Sequence, residues 1–429
     1  MAVTRILAAV VVIVAWTHGV AQAQQNSAPR QMPLPERAIE QMCASYSDPA
    51  LFPPRFAAKE EPGARAMFPG SYLFVPADGT PHPGVVLLHG SEGGRSGSTI
   101  CLARFLAQQG YAALSFCYFD CGNDRLPFAL VGVDLRRTYE AMTWLKTSVH
   151  VADKKVGLYG FSRGAEQTIL LASVLAMRAK SDPAIALPDA VFAHAPYGTV
   201  APAYNFRWRP NQLNGAYWDP YVRASLQCLA YDSTGKYRVV GGAAMRWRSE
   251  DSACSEKPAL SFSDCWREDS RGRYSVPPRG PYDNPGASRG SYAWLADMCG
   301  PPPEVNQRDI DKAHPPAWRW GDSLEGLATG TVIALGAYPG SAMLTQGTVD
   351  EVWSLANGIE RIMATFQRAG TRFTHTIVAQ TATAPAELPV APADRLLTFA
   401  FEGEAHTFRT TAVRTERNLM LTFFAARLR

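Results

Sequence analysis

From 68 to about 197 the chain alternates short, continuous apolar runs with longer runs in which apolar residues recur every three or four positions. The first kind fits a strand covered on both faces, and the second fits an amphipathic helix. The run 85–88 is a strand ending in His-Gly-Ser-Glu-Gly-Gly. A helix follows through Ile-Cys-Leu-Ala-Arg-Phe-Leu-Ala-Gln-Gln and stops at Gly110. Residues 111–119 read as the next strand. In 133–146, Leu135, Tyr139, Met142 and Leu145 share one helical face. The strand 155–160, a helix from Arg163 and the strand 189–197 complete the series. Such alternation predicts a mostly parallel sheet with helices on both faces.

The rhythm stops between 198 and 327, where Gly, Pro, Ser, Arg and aromatic residues take over. A structureless loop of that length does not suit a compact domain, so the segment is expected to be an inserted cap or subdomain. Strand and helix signals return at 331–338 and 341–347, then a helix over 352–369 and a strand over 372–378. Residues 396–408 predict a final strand running into a loop, and 416–428 a closing amphipathic helix. There is no internal repeat. The expected division is a leader over 1–23, an extension over 24–67, core segments over 68–197 and 328–429, and the insertion between them.

Composition changes this picture little. The 429 residues are 47% hydrophobic and 19% charged, with a net charge of +4, which gives room for an enzyme core and implies neither nucleic acid nor a membrane surface. The N-terminus matters more. Arg5, the apolar stretch 6–16 and Ala21-Gln22-Ala23 have the layout of a signal peptide cleaved near Ala23, so a periplasmic or secreted protein is expected. That stretch is too short to span a bilayer, and no second run approaches spanning length, so no stable membrane insertion is expected. In an oxidising compartment the eight cysteines (43, 101, 117, 121, 228, 254, 265 and 299) suit a disulfide framework. No CxxC or HxxxH spacing points to zinc, and nothing calls for a metal or another cofactor.

The chemistry concentrates at Gly160-Phe161-Ser162-Arg163-Gly164, between the strand ending at 160 and the following helix. Small residues on either side let the turn close sharply and present Ser162 as a nucleophile. The alternative is an ordinary strand-to-helix turn in which the serine caps the helix. A serine needs a general base, and the base needs an orienting carboxylate, in the chain order Ser, acid, His. His194 follows the turn too closely for that order. Of His314, His375 and His406, the last sits in a glycine-containing loop between the final strand and the final helix, and is the expected base. His375 lies within a strand and His314 within the insertion. Asp350 follows a strand and a glycine turn, and is the expected acid, with its neighbour Glu351 as the alternative and helix capping as the other role for either. The oxyanion donors are expected to be the amide of Arg163 and that of Ser91 or Glu92. The glycines of His-Gly-Ser-Glu-Gly-Gly lack the pattern of a phosphate-cradling loop.

These motifs resemble the α/β-hydrolase superfamily, and within it the dienelactone hydrolase-like enzymes. His-Gly-Ser-Glu-Gly-Gly and Gly-Phe-Ser-Arg-Gly-Ala-Glu also resemble the C-terminal domain of the bile acid acyltransferase and acyl-CoA thioesterase family. The segments 347–354 and 401–408 are similar to those around the acid and histidine of prolyl oligopeptidase-like and dienelactone hydrolase-like proteins. The resemblance implies Ser162 as nucleophile, Asp350 as acid, His406 as base, and Arg163 with Ser91 or Glu92 as oxyanion donors. Dienelactone hydrolases carry cysteine where this chain has Ser162, and the insertion has no counterpart.

The insertion is the natural substrate-selecting element, and its Trp, Tyr and Arg could stack on rings and clamp a carboxylate, or form the core of a stapled cap. Arg163 could meet an acidic substrate or make a surface ion pair. The expected partner is a small ester, aromatic or anionic, cleaved by a serine esterase. The alternatives are a thioesterase, acyltransferase or peptidase on the same residues, and a non-catalytic binding protein of the same fold.

Overall fold

The computed structural model describes residues 36–44, 46, 48–94, 97–121, 126, 130, 132–201, 206–207, 217–218, 229–231, 237–239, 245–247, 266–268, 317–321, 323, 327, 331–350, 355, 357–379 and 394–429. Its centre is a nine-stranded sheet of β1 (Ala58–Glu61), β2 (Tyr72–Pro76), β3 (His82–Leu88), β4 (Ala112–Phe116), β5 (Val151–Phe161), β6 (Ala190–His194), β7 (Ser341–Gly347), β8 (Phe373–Val378) and β9 (Leu396–Phe401). Their order across the sheet is β1-β2-β4-β3-β5-β6-β7-β9-β8. β1 pairs antiparallel with β2, and β2 antiparallel with β4. Every other neighbouring pair is parallel.

The apolar runs are continuous because both faces of the sheet are covered. Val86 and Leu88 of β3, Val156 and Leu158 of β5, and Ala342 and Leu344 of β7 join one core with α4 (Leu135–Lys146), α5 (Arg163–Arg178) and α6 (Ile359–Arg368). Val85, Leu87, Tyr159 and Met343 point the other way, into a core with α1 (Glu36–Cys43), α3 (Ser98–Gln108) and α7 (Thr410–Leu428). The two-residue period of a strand thus feeds two separate interiors. A short helix, α2 (Gly63–Met67), precedes β2. Among the described residues two disulfides close: Cys43–Cys101 ties α1 to α3, and Cys117–Cys121 closes a turn just after β4.

The expected class, a mostly parallel sheet with helices on both faces, is what the protein has. Several details differ from the expectation. β1 and β2 add an antiparallel edge before β3 that was not anticipated: Ala-Lys-Glu-Glu of β1 carries no apolar alternation, whereas the continuous apolar run Tyr-Leu-Phe-Val of β2 did carry a strand signal. The stretch 331–338 is no strand: Val332 makes a single bridge with Thr199, and Leu335–Ala337 is one 3₁₀ turn. In the segment read as a helix over 352–369, the described helix is Ile359–Arg368, whose first amide bonds the Gln346 side-chain oxygen at 3.1 Å. The closing helix starts earlier than expected, at Thr410. Of the insertion, the described residues include three short antiparallel pairs, 206–207 with 217–218, 229–231 with 237–239, and 245–247 with 266–268, and Trp318–Arg319, which pairs parallel with Val133–Asp134. The expected leader, Cys228, Cys254, Cys265, Cys299, His314 and Glu351 lie outside the described residues. Among the described residues no helix is long and apolar enough to cross a membrane.

Candidate active site

β5 passes into α5 through Ser162, whose φ of 54° and ψ of −119° lie outside the conformations a serine ordinarily adopts. The flanking glycines make that bend possible. A Cβ at Gly160 would collide with the carbonyl of Gly164, and a Cβ at Gly164 would collide with the carbonyls of Leu88 and His89. The start of α5 therefore rests directly on the end of β3. The Ser162 amide donates to the His194 carbonyl at the end of β6, 2.9 Å away, which fixes the bend to the sheet. This removes the capping alternative, because the Ser162 side chain makes no cap bond to α5.

Asp350 stands in the turn after β7, and His406 in the loop between β9 and α7. The two loops are laced together. The Thr348 amide donates to the Phe401 carbonyl at 2.9 Å, and the Val349 amide to the Glu404 carbonyl at 3.1 Å. The Gly403 amide donates to the Thr348 hydroxyl at 2.8 Å. Gly347 allows the approach, since a Cβ there would strike the Glu404 carbonyl. His406 Nδ1 consequently lies 3.0 Å from both carboxylate oxygens of Asp350, with both side chains buried. An Nδ1–H donated to that carboxylate makes Nε2 the proton-accepting nitrogen of the ring. The His406 ring rests against Phe161, the residue before Ser162, with centroids 5.3 Å apart. The Ser162 bend and the His406–Asp350 pair thus lie at the C-terminal edge of β5, β7 and β9. That strand order, with a sharp serine bend after β5, an acidic loop after β7 and a histidine loop after β9, decides the architecture.

The chain has the α/β-hydrolase fold.

The residue directly after the bend is Arg163, whose amide is the expected first oxyanion donor. Its guanidinium lies in the interior, which corrects the surface ion pair anticipated for it to a buried one. It is buried and forms an ion pair with Glu166 at 2.8 Å. Glu166 also accepts from the Ala201 amide at 3.1 Å and the Trp318 indole at 2.8 Å. Burial pushes the Glu166 carboxyl up, against the opposing pull of Arg163. One carboxylate thus clasps the point where the insertion departs and the point where it returns. Ser91 and Glu92 lie in the loop after β3, which the Gly164 contact holds beside the bend. The Glu92 carboxylate folds back on its own loop, accepting from the Gly90 amide at 3.1 Å and the Ser98 hydroxyl at 3.2 Å.

His194 occupies a different place from His406. Its Nδ1 contacts Glu416 of α7 at 2.8 Å and the Thr345 hydroxyl at 2.9 Å, and its ring stacks on Phe161 at 5.2 Å. Phe161 therefore sits between two imidazoles, each with its own carboxylate. His375 lies on edge strand β8 and meets the Thr398 hydroxyl at 2.8 Å, in keeping with a packing role. Sequence reasoning passed over Glu166 and Glu416. Glu166 could have been found four residues after Ser162, as a charge on an otherwise apolar helical face.

No known family profile matches the chain. Over 134 residues it is 30% identical to human mitochondrial acyl-coenzyme A thioesterase 2, covering 31% of this chain and 26% of that protein. Over 103 residues it is 33% identical to rat acyl-coenzyme A amino acid N-acyltransferase 2, covering 24% of this chain and 23% of that one. The chain therefore spans about a quarter of the length of these curated relatives. Among solved structures, esterase B of Lactobacillus rhamnosis aligns with a TM-score of 0.43 and 14% identity, covering 92% of this chain and 96% of the esterase. A Klebsiella pneumoniae protein described as a dienelactone hydrolase aligns with a TM-score of 0.38 and 12% identity, covering 86% and 98%.

Proposed function

We propose that the protein is a serine hydrolase that cleaves a carboxylic ester through an acyl-enzyme. The observation carrying this reading is the backbone of Ser162, held at a positive φ between two glycines that have no room for a side chain, while a buried His406–Asp350 pair lies against the adjoining Phe161. Strain of that kind persists only where surrounding structure enforces it. His406 Nε2 takes the hydroxyl proton as Ser162 Oγ attacks the ester carbon. Asp350 holds the imidazole in the required tautomer and stabilises its charged form. The Arg163 amide and an amide of Ser91 or Glu92 receive the charge that develops on the carbonyl oxygen. The imidazolium then protonates the departing alcohol, and water attacks the acyl-enzyme with His406 again as base.

Ser162→Ala should abolish labelling by a fluorophosphonate, and labelling that survives in this variant would refute the assignment. His406→Ala should lower kcat by about 10³–10⁶-fold, and Asp350→Asn by about 10³–10⁴-fold. Near-normal turnover in either would show that the base or acid lies elsewhere.

A thioester substrate is the second reading, favoured by the partial identity to acyl-coenzyme A thioesterases. The proposed export of the chain to the periplasm or outside the cell favours the oxygen ester, because coenzyme A thioesters are chiefly cytoplasmic. A panel of p-nitrophenyl esters, acyl thioesters and peptide amides separates the readings. Short or aromatic esters should turn over fastest, and faster thioester or peptide turnover would replace the ester reading.

A further inference from the structure

The turn 117–121, closed by its disulfide, packs against both ends of the loop expected to supply the second oxyanion donor. The His89 and Tyr118 rings stack 4.1 Å apart and nearly parallel, and the Tyr118 hydroxyl donates to the His89 carbonyl at 2.6 Å. The Gly94 amide donates to the Phe119 carbonyl at 3.2 Å. The two glycines at the far end of the loop are shaped by the same ring. A Cβ at Gly93 would lie 2.8 Å from the Asp120 Cβ, and a Cβ at Gly94 would run into Cys117 Sγ. Behind the ring, a Cβ at Gly70 would lie 2.8 Å from the Cys121 Cβ, and the Cys117 amide donates to the Ser71 hydroxyl at 2.9 Å. Asp120 within the ring has a φ of 47°, a conformation that favours glycine and that a short covalent closure helps to hold.

We infer that the Cys117–Cys121 ring is a positioning element for the oxyanion site, holding residues 89–94 from behind so that the Ser91 or Glu92 amide faces the reacting carbonyl. This rests on the serine hydrolase reading. A positioning element of this kind acts on the rate of the chemical step and leaves ground-state binding alone.

The test compares kcat and KM for p-nitrophenyl butyrate in the whole protein, in Cys117→Ala/Cys121→Ala, and in Cys43→Ala/Cys101→Ala. Opening the ring should lower kcat about 10- to 1,000-fold, up to the roughly 10²–10³-fold of losing an oxyanion donor outright, with KM within about threefold. The Cys43/Cys101 variant should keep its kcat. An unchanged kcat in the ring variant, or a loss confined to KM, would overturn the inference. If the ring variant is unfolded at the assay temperature by circular dichroism, Tyr118→Phe decides. It removes one hydroxyl with the disulfide intact and should lower kcat several-fold at constant KM, whereas unchanged kinetics would overturn the inference. Wild-type protein that neither hydrolyses the ester nor takes up fluorophosphonate would instead overturn the hydrolase reading, and this inference with it.

Discussion

At the scale of single residues, the site is governed by which atoms have no space around them. Gly164 illustrates this: a methyl group there would meet two carbonyl oxygens of β3 and its following residue, neither of which can rotate away. Gly164→Ala should therefore cost about 1–3 kcal/mol as an overpacked contact and lower kcat as well, because it separates the serine bend from the oxyanion loop. Urea denaturation beside steady-state kinetics checks both effects. His89 makes a second case. Burial drives its imidazole down to about 4 from an ordinary 6.5, with a bond to the Gly90 carbonyl opposing in part. The unfolded chain binds this proton between those pH values and the folded chain does not, so stability falls as pH drops from about 6.5 to 4. The loss from this group reaches about 3 kcal/mol. Thermal melts across that range should show the fall, and His89→Gln should flatten it.

Elements are joined to the site through buried charges rather than through loops alone. Glu166, one turn into α5, neutralises Arg163 and accepts from the two points where the insertion meets the core. Glu166→Gln keeps an acceptor for Ala201 and Trp318 but leaves a buried guanidinium without its countercharge. Such a loss typically costs about 3–5 kcal/mol, and a shifted urea midpoint is its measure. A shift below about 1 kcal/mol would mean that water already solvates Arg163. α7 is tied in the same manner, since Glu416 reaches His194 under the bend while Phe423 and Phe424 enter the core below the sheet. The helix that follows the His406 loop is thereby fixed at a point close to Ser162.

At the scale of the whole molecule, the two disulfides among the described residues have unequal tasks. Cys43–Cys101 spans 58 positions, and in the chain-entropy model a loop of that length contributes about 4 kcal/mol by restricting the unfolded chain. Cys117–Cys121 spans only 4, and its entropic contribution is about half as large. Cys43→Ala/Cys101→Ala should accordingly lower the melting temperature by more than Cys117→Ala/Cys121→Ala while leaving turnover intact. Calorimetry on the two double variants gives the comparison, and the reverse order would show that strain or unfolded-state structure dominates.

By itself the sequence determined most of the strand-and-helix order from β3 onward, the serine bend, and the positions of Asp350 and His406 relative to the strands that carry them, but not the β1–β2 edge or the absence of a strand over 331–338. Those properties are local: periodicity reports which faces are buried, and glycines around a serine report a backbone bend. It left undecided the partners of groups far apart in the chain. Glu166 meets Trp318 across 152 positions, and His194 meets a helix that begins more than 200 residues later. Only the packed structure decided that Arg163 faces inward, that Cys43 pairs with Cys101, and that Gly93 and Gly94 give way to a covalent ring. The physical reason is that steric exclusion and charge burial depend on what the fold brings alongside a residue, which no spacing along the chain records.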